Sequence, residues 1–166
     1  GLGSIGQRVA RFGQVFGMRV IAWSENLTAE RAAEVDVTYV SKQELFEQAD
    51  VLSVHLVLSE RSRGMVDTEA LDWMKPTALL VNTARGPIVD EAALIKALQK
   101  QRLAGAALDV FEQEPLPALH PWRTLENVLA TPHVGYVSRQ NYQQFFSQMI
   151  EDIQAWSAGA PIRLLS

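Results

Sequence analysis

The 166-residue sequence contains no cysteine, which rules out disulfides, thiolate-bound metals and a cysteine nucleophile. That absence fits a reducing compartment, and a cytoplasmic location is expected. An excess of positive charge is lacking too. Fifteen Lys and Arg stand against 19 Asp and Glu, a net charge of −4, so nucleic acid is not expected as the main partner. No apolar run approaches the roughly 18 residues of a membrane span, and neither a membrane segment nor a secretory leader is expected. No metal site is expected either. Internal repeats and low-complexity stretches are missing, and Pro115 to Pro121 reads as a proline-rich loop and not as a domain linker. The whole of 1–166 is therefore read as one domain.

Hydrophobic residues make up 48% of the chain, enough to fill a core at this length. Short apolar runs alternate with longer amphipathic ones. That βαβα pattern predicts the α/β class with a doubly wound parallel sheet. Strands are predicted at 19–23, 38–40, 51–56, 78–81, 103–110 and 128–130, and helices at 7–16, 28–34, 42–49, 68–74, 90–101 and 138–158. Two helices carry boundary signals. Ser41 with Glu44 three residues on has the form of a capping box, and Gly17 follows the last apolar residue of the first helix. In the last helix Phe145, Met149, Ile153 and Trp156 recur at helical spacing and are expected to form a buried stripe.

The chain opens on Gly1-Leu2-Gly3-Ser4-Ile5-Gly6. Glycines at this spacing before an amphipathic helix allow a tight turn, close approach of backbone to a pyrophosphate, and helix N–H groups aimed at anionic oxygens. Gly1, Gly3, Ser4, Ile5 and Gly6 are thus candidate dinucleotide-binding residues. Alone, such a loop is a weak signal, because glycine turns are common. It normally follows a central strand, and that strand is expected to lie outside the sequence. The ribose is usually held by an acid about 20 residues further on. Here Ser24 takes that place, followed by Glu25, and a serine offers only a single weaker contact. No Lys or Arg adjoins Ser24 to take a 2′-phosphate, and Glu25 and Glu30 would repel one. NAD is favoured, with NADP as the second possibility.

Three further stretches bring an arginine, a carboxylate and an imidazole: Asn82-Thr83-Ala84-Arg85-Gly86, Asp109-Val110-Phe111-Glu112-Gln113-Glu114-Pro115, and Thr131-Pro132-His133-Val134-Gly135. Brought together, these groups can reduce a carbonyl that stands beside a carboxylate. Arg85 has the bidentate fork to grip an anionic substrate. His133 can exchange the hydroxyl proton, with Glu114 orienting it and favouring its protonated form. Singly each has an ordinary reading: a surface ion pair for Arg85, a solvated loop acid for Glu114, a backbone-bonded loop residue for His133. Their order behind a glycine loop, at predicted strand ends, makes catalysis the stronger reading. Asp109 can bond a nicotinamide amide or simply cap a turn. His55 is expected to be structural or to lie near the cofactor, His120 to be a loop residue, and Trp73, Trp122 and Trp156 to pack in a core or interface.

On these residues the chain resembles the NAD-binding domain of the D-isomer-specific 2-hydroxyacid dehydrogenases, from Gly1 as far as Gly159. The resemblance also covers Met74-Lys75-Pro76 through Asp90 and the run Gly105-Ala106-Ala107-Leu108-Asp109-Val110-Phe111. It implies an NAD-dependent oxidoreductase that interconverts a small 2-oxo acid and a D-2-hydroxy acid and works as a homodimer. By position it implies Arg85, Glu114 and His133 as catalytic residues, Gly1, Gly3 and Gly6 as the pyrophosphate loop, and Thr83 and Asp109 beside the nicotinamide. Ser24 in place of the usual acid is a departure, and so is Val57 where proline is frequent. The family's substrate domain is expected to lie outside the sequence, and the chain alone to be inactive or nearly so. Two rival readings remain. One is an NAD-sensing corepressor or scaffold, since the family resembles such proteins too. The other is a Rossmann-like domain for another nucleotide, such as an adenosyl cofactor, against which the ordered trio argues.

Overall fold

A computed structural model of the protein describes residues 1–164. The chain divides into two compact units, residues 1–133 and the segment from Val134 onward.

In the first unit helices and strands alternate: α1 Ser4–Val15, β1 Ile21–Ala22, α2 Ala29–Ala33, β2 Thr38–Tyr39, α3 Lys42–Gln48, β3 Val51–Val54, α4 Thr68–Trp73, β4 Leu79–Asn82, α5 Glu91–Gln99, β5 Gly105–Leu108 and β6 Val128–Ala130. Short 3-10 turns lie at Gly86–Ile88 and Pro121–Arg123. Every strand pairing is parallel. β1 pairs with β2, and β3, β4, β5 and β6 form a four-stranded sheet in that order, with Leu52, Leu80, Ala106 and Val128 in register across it. Parallel neighbours need crossovers, which the helices supply. In the four-stranded sheet, and likewise in the pair, the strands therefore all end at the same edge. This is the α/β, Rossmann-like class that the alternation predicted.

Local chemistry explains most helix boundaries. Ser41 Oγ accepts from the Glu44 N–H and Glu44 Oε2 accepts from the Ser41 N–H, at 3.2 and 2.8 Å, completing the predicted capping box. Thr28, Asp67 and Asp90 cap α2, α4 and α5 in the simpler one-bond way. Gly17 takes φ +74° just beyond α1, a conformation that glycine adopts without penalty. Two strands fall well short of prediction, 19–23 contracting to Ile21–Ala22 and 103–110 to Gly105–Leu108, whereas β6 has its predicted bounds. Ladder hydrogen bonds end a strand, and an apolar run can continue past them.

Leu80, Ile88, Leu94, Leu98 and Leu103 are fully buried at the heart of the main core. Each is worth about 1.5–3 kcal/mol relative to exposure. A smaller cluster of Leu2, Ala10, Ala22, Leu27, Ala32 and Val37 gathers around α1, α2 and the β1–β2 pair.

The second unit contains α6, Arg139–Ser157, whose N-cap Ser138 accepts from the Asn141 N–H. Its predicted buried stripe is not buried: Phe145, Met149, Ile153 and Trp156 are between 47% and 73% exposed. Helical spacing establishes that these residues share a face, but it does not supply anything to cover that face. Among the described residues no helix is long and apolar enough to cross a membrane.

Candidate active site

Gly3 is the N-cap of α1, a twelve-residue helix whose first-turn amides receive no side-chain cap. A Cβ on Gly6 would stand 2.2 Å from the Gly1 oxygen, and one on Gly1 would stand 2.7 Å from the His55 oxygen. These two glycines let the loop press on itself and on the residue after β3. A Cβ on Gly3 would meet nothing within 4 Å, so the backbone there borders open space. Uncapped N–H groups, the positive end of a helix dipole and bare backbone are what a pyrophosphate requires. The residues therefore fit a dinucleotide. Ser4 and Ile5 begin α1 and are exposed, whereas Gly6 is buried. Ser24 lies just past β1, half-buried, where its carbonyl accepts from the Leu27 N–H at 3.0 Å. His55 follows β3, and its Nε2 lies 2.9 Å from Ser53 Oγ. Burial pushes the His55 imidazole below its ordinary 6.5.

Arg85, Glu114 and His133 follow β4, β5 and β6, so the common strand direction delivers all three to one edge of the sheet. His133 Nδ1 lies 2.6 Å from Glu114 Oε2, and Glu114 Oε1 accepts from the Phe111 N–H at 2.9 Å. Burial pushes the Glu114 carboxyl up. The hydrogen bonds from His133 and Phe111, with the charges of His133 and Arg85, outweigh it and hold the group below the usual carboxylate range. A carboxylate only accepts, so Nδ1 carries the proton in this bond. Arg85 donates from Nη1 to its neighbour's Ala84 oxygen at 2.6 Å, while its charge reaches Glu114. The Glu114 and His133 side chains keep about a third of their surface open, 35% and 34%, enough to meet a ligand. His133 takes φ +54°, the left-handed region, which costs a non-glycine residue about 1 kcal/mol.

Asn82 and Gly86, which carry no role in the sequence reading, hold this arrangement together with Asp109. Asn82, 1% exposed, donates from Nδ2 to the Arg85 oxygen and accepts at Oδ1 from the Ala84 N–H, both at 3.0 Å. It thereby braces the loop on which Thr83 is exposed. Its only signal is a polar residue closing an apolar strand. A Cβ on Gly86 would stand 2.0 Å from the Phe111 carbonyl carbon, so only glycine lets the Arg85 loop lie against the backbone that leads to Glu114. Asp109 is buried and accepts from the Thr131 hydroxyl at 2.5 Å, and its N–H donates to the Asn82 oxygen at 3.0 Å. These bonds tie the ends of β4, β5 and β6 together, a role beside the two that the sequence suggests for Asp109. His120 is more than a loop residue, because it caps the second 3-10 turn and meets Glu91.

A parallel α/β unit with a glycine-rich helix start and polar side chains past three strand ends is a dinucleotide-binding domain of the Rossmann type. Residues 1–135 match the NAD binding domain of the D-isomer specific 2-hydroxyacid dehydrogenases, and the chain belongs to that family. It is 42% identical over 159 residues to a glyoxylate reductase of Aeropyrum pernix, covering 96% of this chain and 48% of the relative. A phosphoglycerate oxidoreductase structure from Vibrio cholerae O395 matches with a TM-score of 0.90 and 41% identity, over 96% of this chain and 51% of that one. A D-lactate dehydrogenase from Aquifex aeolicus, solved with NAD and lactic acid, matches with a TM-score of 0.82 and 31% identity, over 96% of this chain and 52% of that one. The chain thus spans about half the length of these relatives.

Proposed function

We propose that residues 1–166 serve as the cofactor domain of an NAD-dependent dehydrogenase that interconverts a small 2-oxo acid and a D-2-hydroxy acid. The observation that carries this reading is the 2.6 Å His133–Glu114 contact within reach of the Arg85 charge. When bound, the nicotinamide supplies or accepts the hydride at the substrate carbon. Everything else falls to the chain. Gly1, Gly3, Ser4, Ile5 and Gly6 receive the pyrophosphate at the start of α1. Ser24 faces the adenosine ribose, and Thr83 and Asp109 border the nicotinamide. Arg85 binds the substrate carboxylate and polarises its carbonyl.

With Nδ1 committed to Glu114, Nε2 is the nitrogen that serves the substrate oxygen. In reduction a protonated His133 donates there, and the charge left on Glu114 stabilises the imidazolium before transfer. In oxidation the neutral ring accepts the hydroxyl proton at Nε2, and Glu114 fixes the tautomer that leaves this nitrogen an acceptor. NAD is preferred over NADP because Glu25 and Glu30 follow Ser24 and disfavour a 2′-phosphate. Homodimerisation is part of the same proposal.

The test is NADH oxidation by the full-length protein across a set of small 2-oxo acids, with the chirality of each product determined. Reduction to the D-hydroxy acid supports the reading. No turnover of any 2-oxo acid by protein that binds NADH would contradict it.

A further inference from the structure

Away from the trio, a second polar cluster lies mostly out of water. Glu91, the first residue of α5, accepts from Trp122 Nε1–H at 3.0 Å on Oε2, and its Oε1 lies 3.1 Å from His120 Nε2. His120 Nδ1 accepts the Trp122 backbone N–H at 3.3 Å, so in the neutral ring Nε2 is the protonated nitrogen and donates to Glu91. The Glu91 and His120 side chains are only 20% and 16% exposed, and Trp122 is buried. Two hydrogen bonds to one sheltered carboxylate make a strong tie. A first-turn acid that served only the helix dipole would need neither.

What the tie fastens is the loop that carries Glu114. Between Phe111 and Trp122 the chain has prolines at 115, 117 and 121, none of which can donate an N–H. Its far half is bound to itself: the His120 N–H donates to the Pro117 oxygen at 3.1 Å, and Arg123 donates to the Leu116 and Pro117 oxygens at 2.9 Å each. The Glu91 bonds fix that half to α5. The near half rests on Gly86 and on the Phe111 bond to Glu114. Arg85 and Glu91 lie on one continuous segment, joined by the first 3-10 turn and the α5 N-cap Asp90. The segment that presents Arg85 therefore also anchors the loop that presents Glu114.

We propose that Glu91 is a positioning residue for the Glu114–His133 pair, holding the Glu114 loop through His120 and Trp122 at a fixed place relative to Arg85. The proposal rests on the reading of that pair as the proton-transfer site. Two NMR signals report it: the His133 Nδ1 proton, which a short bond to a carboxylate moves far downfield, and the Glu114 carboxyl titration. Glu114→Gln tests the pair itself. If that substitution leaves the downfield proton unchanged, the pair reading fails and the positioning role of Glu91 fails with it.

His120→Ala and Trp122→Phe then cut the tie while leaving the charge of Glu91 in place. Both are expected to broaden the downfield proton through faster exchange with water, and to move the Glu114 titration up toward the ordinary carboxylate range. His120→Gln, whose amide N–H still reaches a carboxylate, is expected to restore both signals in large part. Trp122→Phe keeps a ring in the core and decides the matter should His120→Ala fail to fold. Unchanged signals alongside a lowered melting temperature would make Glu91 a packing residue and overturn the proposal.

Discussion

At Gly86 there is no room for a methyl group. An added Cβ would lie 2.0 Å from the Phe111 carbonyl carbon and 2.6 Å from the Glu112 nitrogen, atoms of backbone that a rotamer change cannot move aside. Gly86→Ala is expected to cost about 1–3 kcal/mol, read as a lower melting temperature. An unchanged melting temperature would show that the two loops separate easily. His55 gives a second prediction. Its folded pKa lies below 6.5 because it is half-buried, so between that value and 6.5 the unfolded chain binds a proton that the folded chain does not. Stability should fall as the pH drops through 6.5 and level off below the folded value. His55→Gln should flatten this part of a melting-temperature-against-pH curve, and a curve of unaltered slope would refute the assignment. Glu114 acts lower on the scale. Its folded value is depressed, so the stability it contributes is present above the ordinary carboxylate pKa and is lost as the pH falls through the folded one.

At this scale the sequence was legible where chemistry is rare. Three histidines, a glycine loop and ordered arginine and glutamate stretches single out Arg85, Glu114 and His133 with little competition. Asn82, Gly86 and Thr131 stayed unassigned because their work depends on which loops meet, and neither periodicity nor composition records that.

Among the elements, legibility follows how local the cause is. The α3 capping box is complete within Ser41–Glu44, and it was read correctly. Ser41→Ala is expected to cost about 1 kcal/mol, a drop of about 2–4 °C for a chain of this size. No measurable drop would mean that the box contributes nothing to the fold. β1 and β5 came out shorter than predicted because their ends depend on partners far along the chain. In β5, Gly105 passes so close to the Asn127 oxygen that an added Cβ would lie 2.8 Å from it. α6 shows the same limit in another form. Its apolar spacing is real, yet the stripe of Phe145, Met149, Ile153 and Trp156 is exposed.

For the molecule as a whole, alternation alone predicted parallel strands joined by helices, because strand direction follows from the crossovers. The separation of the strands into a pair and a quartet agrees with a central strand expected outside the sequence. The cofactor preference also belongs at this scale. Calorimetric titration is expected to show NADH binding more tightly than NADPH, and tighter NADPH binding would overturn the reading of Ser24, Glu25 and Glu30. The most direct test of the central claim compares the full-length protein with its His133→Ala variant in NADH-dependent reduction of a 2-oxo acid, with NADH binding measured alongside. Turnover in the variant should fall on the order of 10³-fold while NADH binding is retained. Turnover close to that of the unaltered protein would contradict the assignment of His133 as the proton-transfer residue.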